Sequence, residues 1–198
     1  MIAQLLGSLG STVVWFGAIA VVLIAVAFAF VGARNQSPKL GLGAIIPVAI
    51  GGFAAAVQLD LPVPDPAFLS VLGISLAALG VVGGYPITVW VLSRAETGDA
   101  STDGDHGGIV VQDGTTKSAK REVLRGGWLI GYLERFAVIA AIVLGHWEIV
   151  AAVIAIKGLG RFSELDHAVA RERFIIGTLT SMIWAGACAL LIVLSRAA

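Results

Sequence analysis

Charge is scarce in this chain. Only 13% of its 198 residues are Asp, Glu, Lys or Arg, about half the share of an ordinary soluble domain. With 58% hydrophobic residues and a mean hydropathy of +0.93, this composition cannot clothe a soluble surface and predicts an integral membrane protein. Acidic and basic residues balance at 13 each, so no global charge favours nucleic acid. The single cysteine, Cys188, excludes an internal disulfide, and its apolar surroundings read as a small buried side chain. Histidine is equally thin: His106 and His167 fall in loops and His146 in a turn. Neither a Gly-x-Ser-x-Gly elbow nor a phosphate-binding loop appears, so an enzyme is the least supported function class. Asp99, Asp103, Asp105 and His106 cluster, but without the alternating spacing of a calcium loop. No catalytic residue, cofactor or metal ligand is assigned from the sequence.

Residues 1–33 carry no charged side chain. Neither Lys nor Arg precedes the first apolar run, which exceeds the ~7–15 residues of a signal core. It reads as a first transmembrane helix that stays. A bilayer core about 30 Å thick takes ~20 apolar residues per helix, and that ruler places spans near 11–32, 41–59, 67–92, 128–145, 148–162 and 174–194. The expected fold is an all-α integral membrane bundle of about six transmembrane helices. Residues 1–93 form a three-helix half, 94–126 a polar cytoplasmic linker, and 127–198 a charged three-helix half.

Lys and Arg set the direction. Arg34, Lys39, Arg94, Lys117, Lys120, Arg121, Arg125, Lys157, Arg161, Arg171 and Arg173 all fall on one side of a six-span chain. Asp60, Asp65, the "GHWE" turn and Arg196 fall on the other. Both termini are therefore expected on the non-cytoplasmic side of a bacterial inner membrane. Trp15, Trp90, Trp128 and Trp147 match the boundary preference of tryptophan, and Trp184 alone falls mid-span. The basic segment 117–125 abuts the fourth span and is expected to rest on anionic lipid headgroups.

Glu134, Arg135 and Lys157 sit inside the apolar runs of "GGWLIGYLERFAVIAAIVLGHWEIVAAVIAIKGLGRF". An ionised residue near a helix centre costs about 2.5–3.5 kcal/mol, so such residues face protein or water and pair with one another. Glu134 lies roughly 9 Å into the helix from Trp128, and Arg135 one step deeper. Folding the two spans about "GHW" brings Glu134 and Lys157 within roughly 2 Å of one depth, which predicts an interhelical ion pair. Gly127, Gly131, Glu134, Ala141 and Gly145 share much of one helical face. In the last span, Gly177, Ser181, Ala185 and Ala189 recur every four residues as a small-residue packing stripe, with Thr178 and Ser181 adding hydroxyls. Arg161 shares the face of Lys157 and is expected to meet Glu172, beside Arg173. The candidate network is thus Glu134, Arg135, Lys157, Arg161, Glu172 and Arg173, lined by Gly127, Gly131, Gly177, Thr178 and Ser181. In the first half, Pro47, Pro86, Gly51–Gly52 and Gly83–Gly84 loosen their helices, as in ordinary membrane helices and in some transporters.

The order "GGWLIGYLER", "KGLGRF" and Glu172 followed by "GTLTS" resembles a pattern of bacterial polytopic membrane proteins of no known activity. The resemblance covers residues 126–185. It carries over Gly127, Gly131, Glu134, Arg135, Lys157, Arg161, Phe162, Glu172, Gly177, Thr178 and Ser181 as signature positions. It implies a common membrane unit and no particular chemistry.

Two function classes remain open. A small transporter or channel, or a subunit of one, would use the intramembrane Glu/Arg/Lys network. A non-transporting scaffold or partner subunit would use the same network only to fix helix register. The packing stripes leave room for a second copy of the chain or another membrane protein as partner.

Overall fold

The computed structural model describes residues 2–59, 61–95, 127–160 and 168–197, with side chains from Leu9 onward. Every regular element in these residues is helical: α1 (Ile2–Arg34), α2 (Pro38–Gly41), a 3-10 turn (Leu42–Ala44), α3 (Ile45–Ala56), α4 (Pro66–Ala95), α5 (Gly127–Val143), α6 (Trp147–Leu159) and α7 (Ala168–Ala197). Leu9–Arg34, Pro38–Ala56, Pro66–Ala95 and Ala168–Ala197 are long and apolar enough to cross a membrane. Four helices of this length and apolarity suggest a membrane protein.

Of the six spans expected from the sequence, the fourth and fifth, 128–145 and 148–162, appear as helices shorter than a bilayer core. α5 has 17 residues and α6 has 13, about 25 Å and 20 Å, both short of a ~30 Å hydrocarbon core. The cause is the turn between them. Gly145 adopts φ 77°, its N–H donates to the Ile142 carbonyl (3.1 Å), and the His146 N–H donates to that of Ala141 (2.8 Å). This Schellman closure ends α5 before the apolar run does. The second expected span is also interrupted. Pro47 has no N–H for the Gly43 carbonyl, and the chain tightens into the 3-10 turn at Leu42–Ala44 before α3 begins. That helix ends in a second Schellman closure, with Gln58 at φ 51° and the Leu59 N–H donating to Ala54 O at 3.0 Å.

α4 is the hub, packed against α1, α2, α5 and α7. Its start is fixed locally: Pro66 opens the helix, and Asp65 Oδ1 accepts the Ala67 N–H at 2.7 Å. Small residues then let the neighbours approach. Gly80 faces Ile139 of α5 and Cys188 of α7, Gly83 faces the Trp184 ring, and Gly41 of α2 faces Pro86. Leu79, Val138, Ala185, Cys188 and Ala189 close the core. Outward, Val13, Phe16, Phe53, Ile74, Phe136, Ile156 and Ile183 are well exposed, the surface a lipid-facing protein presents.

Trp184 explains its own mid-span position. It is buried in the core, and its indole N–H donates to the Leu79 carbonyl at 3.4 Å. Two other tryptophans have defined partners. Trp15 donates to Pro62 O at 3.2 Å and packs on Phe68, while Trp90 carries Arg94 over its ring. Phe68 and Trp90 are separated by roughly 33 Å of α4, close to the thickness of a bilayer core.

Candidate functional site

The α5–α6 hairpin forms the ion pair that its sequence predicts. Lys157 Nζ donates to Glu134 Oε2, with side chains 19% and 12% exposed. α6 packs on α5 and buries none of its residues fully, so this pair and the Gly145 turn hold the two helices together. His146 and Glu148, 3.1 Å apart in the turn, are both well exposed.

Arg135 occupies a different position, facing into the bundle. It is 4% exposed. Its Nε donates to the Val81 carbonyl of α4 at 2.7 Å and its Nη1 to Ser181 Oγ of α7 at 3.2 Å. The guanidinium lies 5.1 Å from the centre of the Tyr132 ring, a cation–π contact one turn back on α5. Space for it comes from Gly84, where a β-carbon would meet Arg135 Cδ and stand 2.7 Å from Nε. The docking point is a loosened stretch of α4. Pro86 offers no N–H to the Val82 carbonyl, and the guanidinium bonds the carbonyl one residue earlier. One cation thereby ties α4, α5 and α7 together.

Glu134 is taken by Lys157, and among the described residues no carboxylate forms a salt bridge with Arg135. Thr88, one turn beyond Gly84, has a buried hydroxyl with no hydrogen-bond partner among the described residues.

The remaining predicted residues fall in several places. Ser181 is buried and joined to Arg135; Gly131 lies under the guanidinium; Gly177 packs against Thr88 and Leu92. Gly127 begins α5, and Thr178 is half-buried on α7. Glu172 is exposed at the start of α7, and Arg173 is half-buried beside it. With Ala168, Arg171, Ile175 and Ile176, Glu172 lines a shallow groove of about 370 Å³. The network splits accordingly: Glu134 with Lys157 on the hairpin, Arg135 with Ser181 in the core, and Glu172 and Arg173 along α7. Arg161, Phe162, the acidic cluster 99–106 and the basic segment 117–125 lie outside the described residues.

Sequence reasoning centred the inward face of α5 on Glu134 and did not single out Thr88, Tyr132 or the Val81 carbonyl. Tyr132 had a signal, three residues before Arg135 on one helical face. A backbone carbonyl has none. The chain matches no protein-family model, no curated protein and no solved structure.

Proposed function

We propose that the chain is a small transporter or channel of the bacterial inner membrane, or a subunit of one. The observation that supports it is Arg135, a buried guanidinium with no carboxylate partner among the described residues, docked on a helix loosened by Gly83, Gly84 and Pro86. A fixed uncompensated cation in a membrane interior costs several kcal/mol and marks ion or substrate pathways more often than packing requires. In this reading α5 and α6 cross as a hairpin, completing six passes with both termini away from the cytoplasm. The parity is the same if the hairpin enters and leaves on one side, because it then adds no pass. The segment 117–125 rests on anionic headgroups, and pairing with a second copy is compatible with the exposed face of α6.

The test is flux. Purified protein reconstituted into liposomes should dissipate a salt gradient faster than protein-free liposomes, and Arg135→Gln should abolish the difference. No flux from correctly folded wild-type protein would remove the transport reading. A scaffold or partner subunit is the second reading, favoured by Glu134–Lys157, a pair closed entirely within the hairpin. Under it, neutralising the pair would alter assembly with a membrane partner and leave ion permeability at the level of protein-free liposomes.

A further inference from the structure

We infer that the outward face of α6 is a self-association surface. Two copies of the chain meet there, hairpin to hairpin, because α5 and α6 are too short for the bilayer that the other helices span. This surface requires α5 and α6 to cross the membrane, as proposed above, and does not require transport.

The shortfall lies at one end of the hairpin. α1, α4 and α7 have 33, 30 and 30 residues, about 45–50 Å each, against about 25 Å and 20 Å for α5 and α6. Gly84 meets Arg135 and Gly80 meets Ile139, so α5 runs antiparallel to α4 in a fixed register. From the level of Arg135 and Gly84, Trp128 of α5 and Trp90 of α4 both lie about 10 Å away in one direction, and the helices match there. In the other direction Gly145 lies about 15 Å from Arg135, whereas Phe68, packed on Trp15, lies about 20 Å from Val81. The hairpin falls roughly one helical turn short. Its tip is polar, with the His146 and Glu148 side chains 57% and 74% exposed. Lipid on this flank is drawn thin to leave them in water, and each ångström of such mismatch carries a cost.

α6 is that flank. Val150 and Val153 turn inward and are partly buried against the core, and Lys157 holds Glu134. None of its residues is fully buried. On the opposite side Ala152, Ala155, Ile156 and Leu159 are exposed, Ile156 to 71% and Leu159 to 77%. Glu148 shares that side at the tip, beside His146. Two such faces in contact exclude lipid from both shortfalls at once, so one deformed rim serves two chains. Mismatch drives helix association in this way. The occupant is a second copy because a chain inserted in the same direction brings an equal shortfall to the same depth. A two-fold axis along the membrane normal then pairs the face with itself. A neighbour built of full-length helices would place the opposite demand on the lipid.

The experiment is energy transfer between donor-labelled and acceptor-labelled copies of the full chain. Labels are carried on Val169→Cys, an exposed position of α7, in a Cys188→Ala background. The protein is reconstituted in dimyristoleoyl- or dierucoyl-phosphatidylcholine vesicles over a range of lipid dilutions. Mismatch costs add with thickness, so the dissociation constant should fall at least about tenfold in the longer-chain lipid. Ala155→Phe should weaken association in that lipid and keep the helical circular dichroism, because residue 155 points away from the fold. Ala20→Phe, on the exposed side of α1, should leave association unchanged. Equal association in the two lipids would overturn the α6 surface, as would Ala155→Phe behaving like Ala20→Phe. Crossing is read separately, from the reaction of His146→Cys with an impermeant thiol reagent in the shorter-chain vesicles. Reaction from the side of the termini together with thickness-independent association would remove the surface and leave crossing in place. No reaction from that side would remove crossing and the surface with it.

Discussion

Gly84→Ala isolates the contact on which the bundle turns. The new β-carbon would press on Arg135 Cδ and stand 2.7 Å from Nε, closer than real side-chain contacts come. Arg135 has little freedom to retreat, because Nε is held 2.7 Å from Val81 O and Nη1 3.2 Å from Ser181 Oγ. If the guanidinium leaves, hydrogen bonds to a charged group worth about 1.5–3 kcal/mol each are lost. If it stays, α4 and α5 are forced apart, an overpacking cost of about 1–3 kcal/mol. Opposing this is the gain of replacing a helical glycine by alanine, about 1 kcal/mol. The cheaper route sets the outcome, so the net expectation is destabilisation of up to about 2 kcal/mol. Equilibrium unfolding in detergent micelles reads it, followed by helical circular dichroism and by the fluorescence of Trp184, which packs on neighbouring Gly83. Gly17→Ala is the control: nothing lies within 4 Å of its β-carbon, so its stability should match or exceed the wild type by no more than about 1 kcal/mol. If Gly84→Ala unfolds together with Gly17→Ala, the Arg135 clamp does not hold α4 to α5.

Two further changes probe the termini of the helices and the hairpin. Glu134→Gln or Lys157→Met alone should each destabilise by roughly 2–3 kcal/mol, somewhat below a fully sealed pair because both side chains keep some exposure. Exchanging the two charges should recover most of that loss, and equal damage from the exchange and the single changes would refute direct pairing. Gln58 holds the left-handed position that closes α3, a conformation costly for any side chain with a β-carbon. Gln58→Gly should therefore raise stability by about 1 kcal/mol, seen as a higher unfolding midpoint; an unchanged or lowered midpoint would show that the turn is not strained.

Glu134–Lys157 was legible because helical rise is fixed. Counting outward from one turn gives equal depth on both arms, and opposite charges at equal depth in lipid have little alternative to meeting. The α7 stripe was legible for a related reason, since a four-residue repeat of small side chains defines one face, and Ser181, Ala185 and Ala189 are all buried there. Arg135 was read as part of the same network, yet it turns to the opposite task. Consecutive residues on a helix point about 100° apart, so Glu134 toward α6 leaves Arg135 facing α4 and α7. Its principal acceptor is the Val81 carbonyl, which every residue carries and no pattern reveals. The span expected over 128–145 appears as Gly127–Val143; its last two residues fall outside the helix because the positive φ of Gly145 is a matter of backbone geometry, while hydropathy continues through Leu144.

The depth of that turn carries the last prediction. Arg135 stands level with Val81 and Gly84 of α4, and α5 runs antiparallel to α4. Gly145 lies about 15 Å further along α5, which brings it near Leu72 and Gly73. The contact of Trp15 with Phe68, near the start of α4, is then only about one helical turn beyond. The turn carries His146 and Glu148, both well exposed, and Trp147 follows them at the start of α6. Hydrocarbon would exact several kcal/mol for an exposed carboxylate, so with α5 and α6 crossing, local thinning or tilt of the membrane is the expected way to leave Glu148 in water. In a Cys188→Ala background, His146→Cys should react with a membrane-impermeant thiol reagent applied from the side of the termini. Cys188 is fully buried against Gly80, so Ala at that position removes the native thiol without adding a polar group. Reaction from the opposite side alone would make α5 and α6 a hairpin lying along the cytoplasmic face, and no reaction from either side would place the turn within the hydrocarbon. Each of those results would reduce the count of crossings to the four long helices.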